Sequence, residues 1–196
     1  MATLESYYSD LLKWEGQSPR TMIDPWPADL RAMIQVDMGE AVTTSCIKAN
    51  PCPIRQNSTN QSVGNQVESF AVAILAPHLK MFRPAPCPGN GYPDKMLENS
   101  ATNALIPLEM KATARWDSSD SNRRVLTSST AALRTVFHAP IHHLLLAIIF
   151  TPQPNGVLFD VIRLDFLEPE SPVTVRLEAS VSHRLLAESN HHSGSF

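Results

Sequence analysis

Two long apolar segments constrain the fold of this chain more than any other feature. Residues 142–150 and 156–167 are rich in Leu, Ile, Val and Phe, and Pro154-Asn155-Gly156 separates them. Apolar, β-branched runs that are bounded by turn residues predict buried strands joined by a turn. We therefore expect a sheet at the centre of the fold.

The remaining segments predict an α/β fold with a mixed central β-sheet flanked by helices. Two shorter strands, 92–98 and 104–112, flank a predicted hairpin turn at 99–103. Apolar residues at helical spacing predict helices over residues 1–15, 28–47, 63–75 and 127–138. The candidate core residues of the second helix are Leu30, Met33, Ile34, Val36 and Met38. Residues 173–188 could form a last strand or a helix, so both assignments stay open.

Length and composition predict one domain. A chain of 196 residues can bury a core without disulfides. We place the core at about 63–167, behind N-terminal helices at 1–47, and expect 189–196 to be disordered. No apolar run is long enough for a membrane span, and the N-terminus does not resemble a signal peptide. The odd count of three cysteines favours reduced thiols and a cytoplasmic protein.

Two carboxylates and a lysine occur near the two shorter strands. Glu109 and Lys111 are two positions apart in a strand, so their side chains are expected on one face, with Met110 on the other. Asp94 belongs to the neighbouring predicted strand. Mg²⁺ prefers oxygen ligands, commonly one or two carboxylates, and a nearby cation can hold an attacking water. The three residues thus suit hydrolysis of a phosphodiester, although they could also be an ion cluster on an edge strand.

The order Pro93-Asp94, fourteen residues, then Glu109-Met110-Lys111 after an apolar strand resembles the PD-(D/E)xK nuclease superfamily. The resemblance implies a restriction-endonuclease-like core that uses Mg²⁺. It implies that Asp94 and Glu109 are metal ligands, that Lys111 is the catalytic lysine, and that Met110 is among the metal-binding residues. Glu68 matches a glutamate that the family often carries on a preceding helix. A helical Glu is also commonly solvated, so both interpretations of Glu68 stay open.

A polar segment follows the strand that carries Glu109 and Lys111. It holds four candidate DNA contacts, Arg115, Asn122, Arg123 and Arg124. Arg and Asn read guanine and adenine edges, and the net charge of −3 does not exclude such a local patch. The alternative is a solvated polar loop.

The pattern as a whole predicts a Type II restriction endonuclease that cuts a specific sequence in double-stranded DNA with Mg²⁺. A single-domain enzyme that cuts both strands of a palindrome is expected to be a homodimer. One alternative is a repair or recombination nuclease that reads DNA structure. The other is a non-catalytic DNA-binding protein on a nuclease fold.

Overall fold

A computed structural model describes residues 2–14, 16–56, 58–87, 93–114, 140–176, 184–187 and 192–196. Over these residues the chain has α-helices and a mixed sheet, which confirms the predicted α/β class with helices beside a central sheet. The predicted helix at 127–138 lies outside the described residues. None of the described helices is long and apolar enough to cross a membrane.

Three helices occur where the periodicity predicts them. They are α1 (Leu4–Trp14), α2 (Ala28–Ser45) and α3 (Asn60–Leu75). In α1, Leu4, Tyr8 and Leu12 recur every four residues, lie on one face and are fully buried. Helix α3 begins three residues before the predicted start because the Thr59 hydroxyl accepts a hydrogen bond from the backbone N–H of Ser62 at 3.2 Å. Short 3₁₀ turns follow α2 and α3 at Ile47–Ala49 and Ala76–His78.

Seven of the described strands form the main sheet. They are β2 (Cys52–Pro53), β3 (Phe82–Ala85), β4 (Lys95–Asn99), β5 (Leu105–Thr113), β6 (His143–Gln153), β7 (Gly156–Leu167) and β10 (His192–Ser195). Their order is β10-β7-β6-β5-β4-β3, and β2 also pairs with β7. The β5–β6 pair is parallel and the other pairs are antiparallel.

A second, smaller sheet joins the N-terminus to the region after β7. Its strands are β1 (Ala2–Thr3), β8 (Pro172–Arg176) and β9 (Arg184–Ala187), in the order β1-β8-β9. Of the two structures predicted for residues 173–188, a strand or a helix, the described part of this segment forms strands.

The two faces of the main sheet are buried differently. On one face, the main core takes Leu108, Met110 and Leu146 together with residues of α2 and α3. On the other face, a smaller cluster joins Leu145 and Leu167 to the buried side of α1. The alternation along β6 and β7 thus sends neighbouring residues into different clusters, as the period of two requires.

Register explains how β3 and β5 each accommodate a proline. Pro107 pairs with Met96 of β4, whereas the pairing of β5 with β6 starts only at Leu108. Pro84 lies in β3, the last strand in the sheet order, where a missing N–H breaks no second ladder. The sequence predicts irregular structure from Pro84 onward, so the β3 strand corrects that prediction for Pro84 and Ala85.

Two further expectations are wrong in part. Val36 is 54% exposed, while Ile34 and Met38 of the same helix are buried. The tail at 189–196 is expected to be disordered, yet β10 pairs with β7, and Phe196 exchanges backbone hydrogen bonds with Ile162 at 2.8 and 3.1 Å. The tail has few apolar residues, and its ordering depends on a partner strand that is distant in sequence.

Candidate active site

The candidate site forms where β5 extends beyond its pairing with the neighbouring strand β4. The β4–β5 pairing ends at Lys95 opposite Leu108, while β5 continues along β6 to Thr113. Asp94 lies just before β4, and its side chain bonds to the edge of β5 that β4 leaves unpaired. Its Oδ2 accepts a hydrogen bond from the backbone N–H of Met110 at 2.8 Å. Because β4 begins only after Asp94, the Asp94 carboxylate can bond to the middle of β5.

Glu109 and Lys111 project from β5 on the face opposite Met110, because Met110 is in the main core and they are its neighbours in the strand. The Lys111 ammonium lies 2.5 Å from Glu109 Oε1 and 3.7 Å from Asp94 Oδ2. The Glu109 side chain is only 3% exposed. The lysine thus lies between two carboxylates, one of them deeply buried.

Glu68 reaches the same place from α3. Val67 and Ala71 of this helix are in the main core, and Glu68 lies in a cleft of about 460 Å³ together with Asp94 and Met110. The backbone N–H of Ala112 donates a hydrogen bond to its carboxylate. We call Glu68, Asp94, Glu109 and Lys111 the acidic site.

Burial and mutual repulsion shift the pKa values in the acidic site. Burial, with a smaller contribution from the charge of Asp94, raises the pKa of Glu68 to about 7. Burial and the nearby carboxylates also raise the pKa of Glu109 to about 8, against the opposing effect of Lys111. Burial lowers the pKa of Lys111, but the charges of Glu109 and Asp94 outweigh it and the net shift is upward. The site is therefore short of positive charge.

The carboxylate oxygens of the acidic site suit a hard cation, although few side chains supply them. Glu109 Oε2 is buried and has no hydrogen-bond partner among the described residues, which is costly for a carboxylate oxygen. No group of three or more His, Cys, Asp or Glu side chains that could hold a metal occurs in the described ranges. Two carboxylates with several waters are a usual Mg²⁺ environment, so Asp94 and Glu109 fit this ion without a third side chain.

The thioether of Met110 does not fit Mg²⁺, since the side chain is buried in the main core and sulfur is a soft ligand. Its backbone is better placed. A residue in a strand directs its N–H and C=O to the same edge, and the N–H of Met110 already faces Asp94. Any metal ligand from Met110 is therefore its carbonyl oxygen.

Several neighbours of the acidic site do not stand out in the sequence. Asn65, Ser69 and Lys95 line the cleft beside Glu68. The helical spacing of Asn65 and Glu68, three residues apart, could have indicated the first of them. His143 is fully buried, and burial together with the charge of Lys111 lowers its pKa to about 3. Nothing in the local sequence predicts that interaction.

The predicted DNA contacts Arg115, Asn122, Arg123 and Arg124 lie outside the described residues. The three described cysteines are free thiols, of which Cys87 is half-buried. Burial, and then the charges of Asp94 and Glu109, raise the pKa of Cys87.

No protein-family model matches this chain, and no curated protein matches its sequence. The arguments about function therefore depend on the residues and their geometry.

Proposed function

We propose that this protein is a Mg²⁺-dependent endonuclease that hydrolyses phosphodiester bonds in double-stranded DNA. The observation that carries the proposal is the buried carboxylate of Glu109. It has one oxygen on Lys111 and the other without a partner among the described residues, and Asp94 is held beside it. A buried carboxyl group with one oxygen left without a partner is expensive in a structural role and useful in a metal site.

Each residue of the acidic site has a distinct part in this proposal. Asp94 and Glu109 would hold the ion, and the Met110 carbonyl could serve as a further ligand. Bound there, Mg²⁺ would neutralise the phosphate and lower the pKa of a water molecule. Lys111 would orient the attacking water and stabilise the developing negative charge. Glu68, whose pKa is raised to about 7, is suited to accept a proton near neutral pH.

Sequence-specific cutting is the finer part of the proposal. We propose a Type II restriction endonuclease that acts as a homodimer in the cytoplasm, because two active sites related by a two-fold axis suit a palindromic duplex. The base contacts would come from Arg115, Asn122, Arg123 and Arg124. Arg and Asn are the side chains that pair with guanine and adenine edges.

Digestion of phage DNA by the purified protein tests this function. We expect discrete fragments with Mg²⁺ or Mn²⁺, no cleavage in EDTA, and binding without cleavage in Ca²⁺, whose looser geometry misaligns the water. Sequencing of the fragment ends gives the site. Robust cleavage in excess EDTA would exclude metal chemistry. Cleavage confined to mismatched or branched duplexes would instead indicate a repair or recombination nuclease.

A matched pair of variants assigns the activity to the acidic site. Glu109→Gln removes the metal ligand, and Glu98→Gln makes the same change on the neighbouring strand, where Glu98 is ion-paired with Arg83. We expect cleavage to be lost in the first variant and kept in the second. Equal activity in both variants would show that Glu109 is not part of the catalytic centre.

A further inference from the structure

A second cleft adjoins the acidic site along α3. It has a volume of about 580 Å³ and is lined by residues 53–55 and by one side of α3 between residues 62 and 70. Asn65 and Ser69 line both this cleft and the one that contains Glu68 and Asp94. The two clefts therefore adjoin each other along these two residues, and we call the pair of clefts the α3 groove.

The α3 groove combines apolar and exposed polar side chains, and a cation lies at its far end. Asn65 and Ser69 are exposed, and neither side chain has a hydrogen bond within the described part of the chain. Arg55 is exposed at the end away from the acidic site. Residues 41–67 contain no Asp or Glu, although the chain has 19 acidic residues. Lys95 lines the opposite end, beside Asp94.

The loop that carries Arg55 is fixed to the helix. The backbone N–H of Arg55 donates to Gln66 Oε1 at 2.9 Å, and Gln66 Nε2 donates to the hydroxyl of Ser58 at 3.0 Å. One side chain of α3 thus holds the loop from both sides. A cation on a fixed loop loses less conformational freedom when it binds an anion than one on a free chain.

The spacing along α3 suits the backbone of a nucleic acid. From Ser62 to Glu68 the helix rises about 9 Å, at about 1.5 Å per residue. Phosphates of one DNA strand follow each other at about 3.4 Å along the duplex axis. The spacing along the strand itself is larger because the strand winds around that axis, so this part of the α3 groove is long enough for about two phosphates beyond the acidic site.

We propose that the α3 groove binds the sugar-phosphate backbone of the DNA strand that enters the acidic site. Arg55 pairs with a phosphate, and Asn65 and Ser69 donate hydrogen bonds to its neighbours. Contacts of this kind position the duplex and do not read its sequence. The inference depends on the proposed nuclease function and adds a contact surface that is separate from the predicted base contacts at 115–124.

Binding of the full chain to duplex DNA in Ca²⁺, measured over a series of salt concentrations, tests the groove. Arg55→Ala should reduce the slope of log K against log salt by about 0.9, which corresponds to about an eightfold loss of affinity at 0.1 M salt. The loss should be equal for three duplexes of unrelated sequence. Arg55→Lys keeps the charge and should keep the slope. Asn65→Ala and Ser69→Ala should weaken binding without a change of slope.

The matched control is Lys80→Ala, which removes one charge from an exposed lysine that is ion-paired with Glu40 elsewhere on the surface. Its slope should equal that of the wild-type protein. If Arg55→Ala and Lys80→Ala behave alike while the wild-type protein cuts DNA with Mg²⁺, the groove inference is wrong and the nuclease function stands. If the wild-type protein neither binds nor cuts duplex DNA, the proposed function itself fails.

Discussion

Two buried carboxylates in this molecule have opposite surroundings. Asp37 of α2 is 1% exposed and accepts backbone hydrogen bonds from Lys80, Met81 and Phe82 at 2.8–3.0 Å. Glu109 of β5 is 2% exposed, and one of its oxygens has no partner among the described residues. In the first region the hydrogen bonds to the carboxylate join a helix to an edge strand. In the second region a buried carboxyl oxygen has no described donor.

The comparison separates a structural carboxylate from a candidate functional one. Hydrogen bonds from several backbone N–H groups satisfy a carboxylate fully and make it a fixed link in the fold. A carboxylate beside a lysine and two other acids can bind a cation with little rearrangement. Depth of burial alone does not distinguish Asp37 from Glu109, because both are almost completely buried. The number and kind of hydrogen-bond donors around each carboxylate distinguish them.

The largest expected effect is on catalysis. Glu109→Gln should reduce Mg²⁺-dependent cleavage by at least about 10³-fold, since a metal supplies several kcal/mol and each 1.4 kcal/mol is a factor of ten. Asp94→Ala and Lys111→Ala should behave similarly, whereas Asp37→Asn should cut at the wild-type rate at 25 °C. Single-turnover assays of the four proteins measure this. A wild-type rate in any of the three site variants would contradict the assignment.

The second effect is on the free energy of unfolding, where we expect the Asp37 variant to lose more than the Glu109 variant. Asp37→Asn leaves at least one of three partly or fully buried backbone N–H groups without an acceptor, which we expect to cost up to about 3 kcal/mol. The corresponding fall in Tm is about 6–12 °C for a chain of this length. Glu109→Gln should lose less, because Lys111 keeps Asp94 as a neighbour. Thermal unfolding in EDTA gives both values, and an equal loss in the two variants would remove the distinction.

The third effect is the response of stability to metal. Mg²⁺ at about a hundred times its Kd should stabilise the wild-type protein by about 2.7 kcal/mol. Asp37→Asn should gain the same increment from its lower baseline, while Glu109→Gln should gain none. Unfolding curves with Mg²⁺ and with EDTA measure the increments. A full increment in the Glu109→Gln variant would locate the metal elsewhere.

The smallest effect is on the pH dependence of stability without metal. The pKa of Glu109 is raised to about 8, so the folded state holds a proton that the unfolded chain has released above about 4.5. Stability should therefore fall as pH rises toward 8. The lowered pKa of His143 acts oppositely, and its contribution is complete above about 6.5. Between about pH 6.5 and 8.5, the wild-type stability should fall more steeply than that of Glu109→Gln; parallel curves would contradict the shift at Glu109.

Much of the central sheet could be predicted because its cause is local. The turn at Pro154-Asn155-Gly156 and the apolar runs beside it lead to β6 and β7, and the hairpin turn at 99–103 lies between β4 and β5. The alternation of Glu109, Met110 and Lys111 follows from the period of a strand, so their opposite directions are also evident from the sequence.

The short strands at the edge of the main sheet could not be predicted, for a different reason. Strands β2 and β10 each form only against β7, far away in the sequence, and β3 contains a proline that an edge position tolerates. Their own residues carry little preference for a strand. Val36 shows the same limit for a helix, because an apolar residue at helical spacing can still face solvent.

The sequence by itself determined which residue types are available to the site: a Pro-Asp, a Glu-x-Lys after an apolar strand, and a glutamate on the preceding helix. Only the tertiary structure decided how they meet. Strand β4 begins only at Lys95, opposite Leu108, which leaves the β5 edge beyond Leu108 free for Asp94. The packing of Val67 and Ala71 brings Glu68 to Ala112. These contacts join segments far apart in the chain, and their geometry depends on where neighbouring elements stop, which no local pattern encodes.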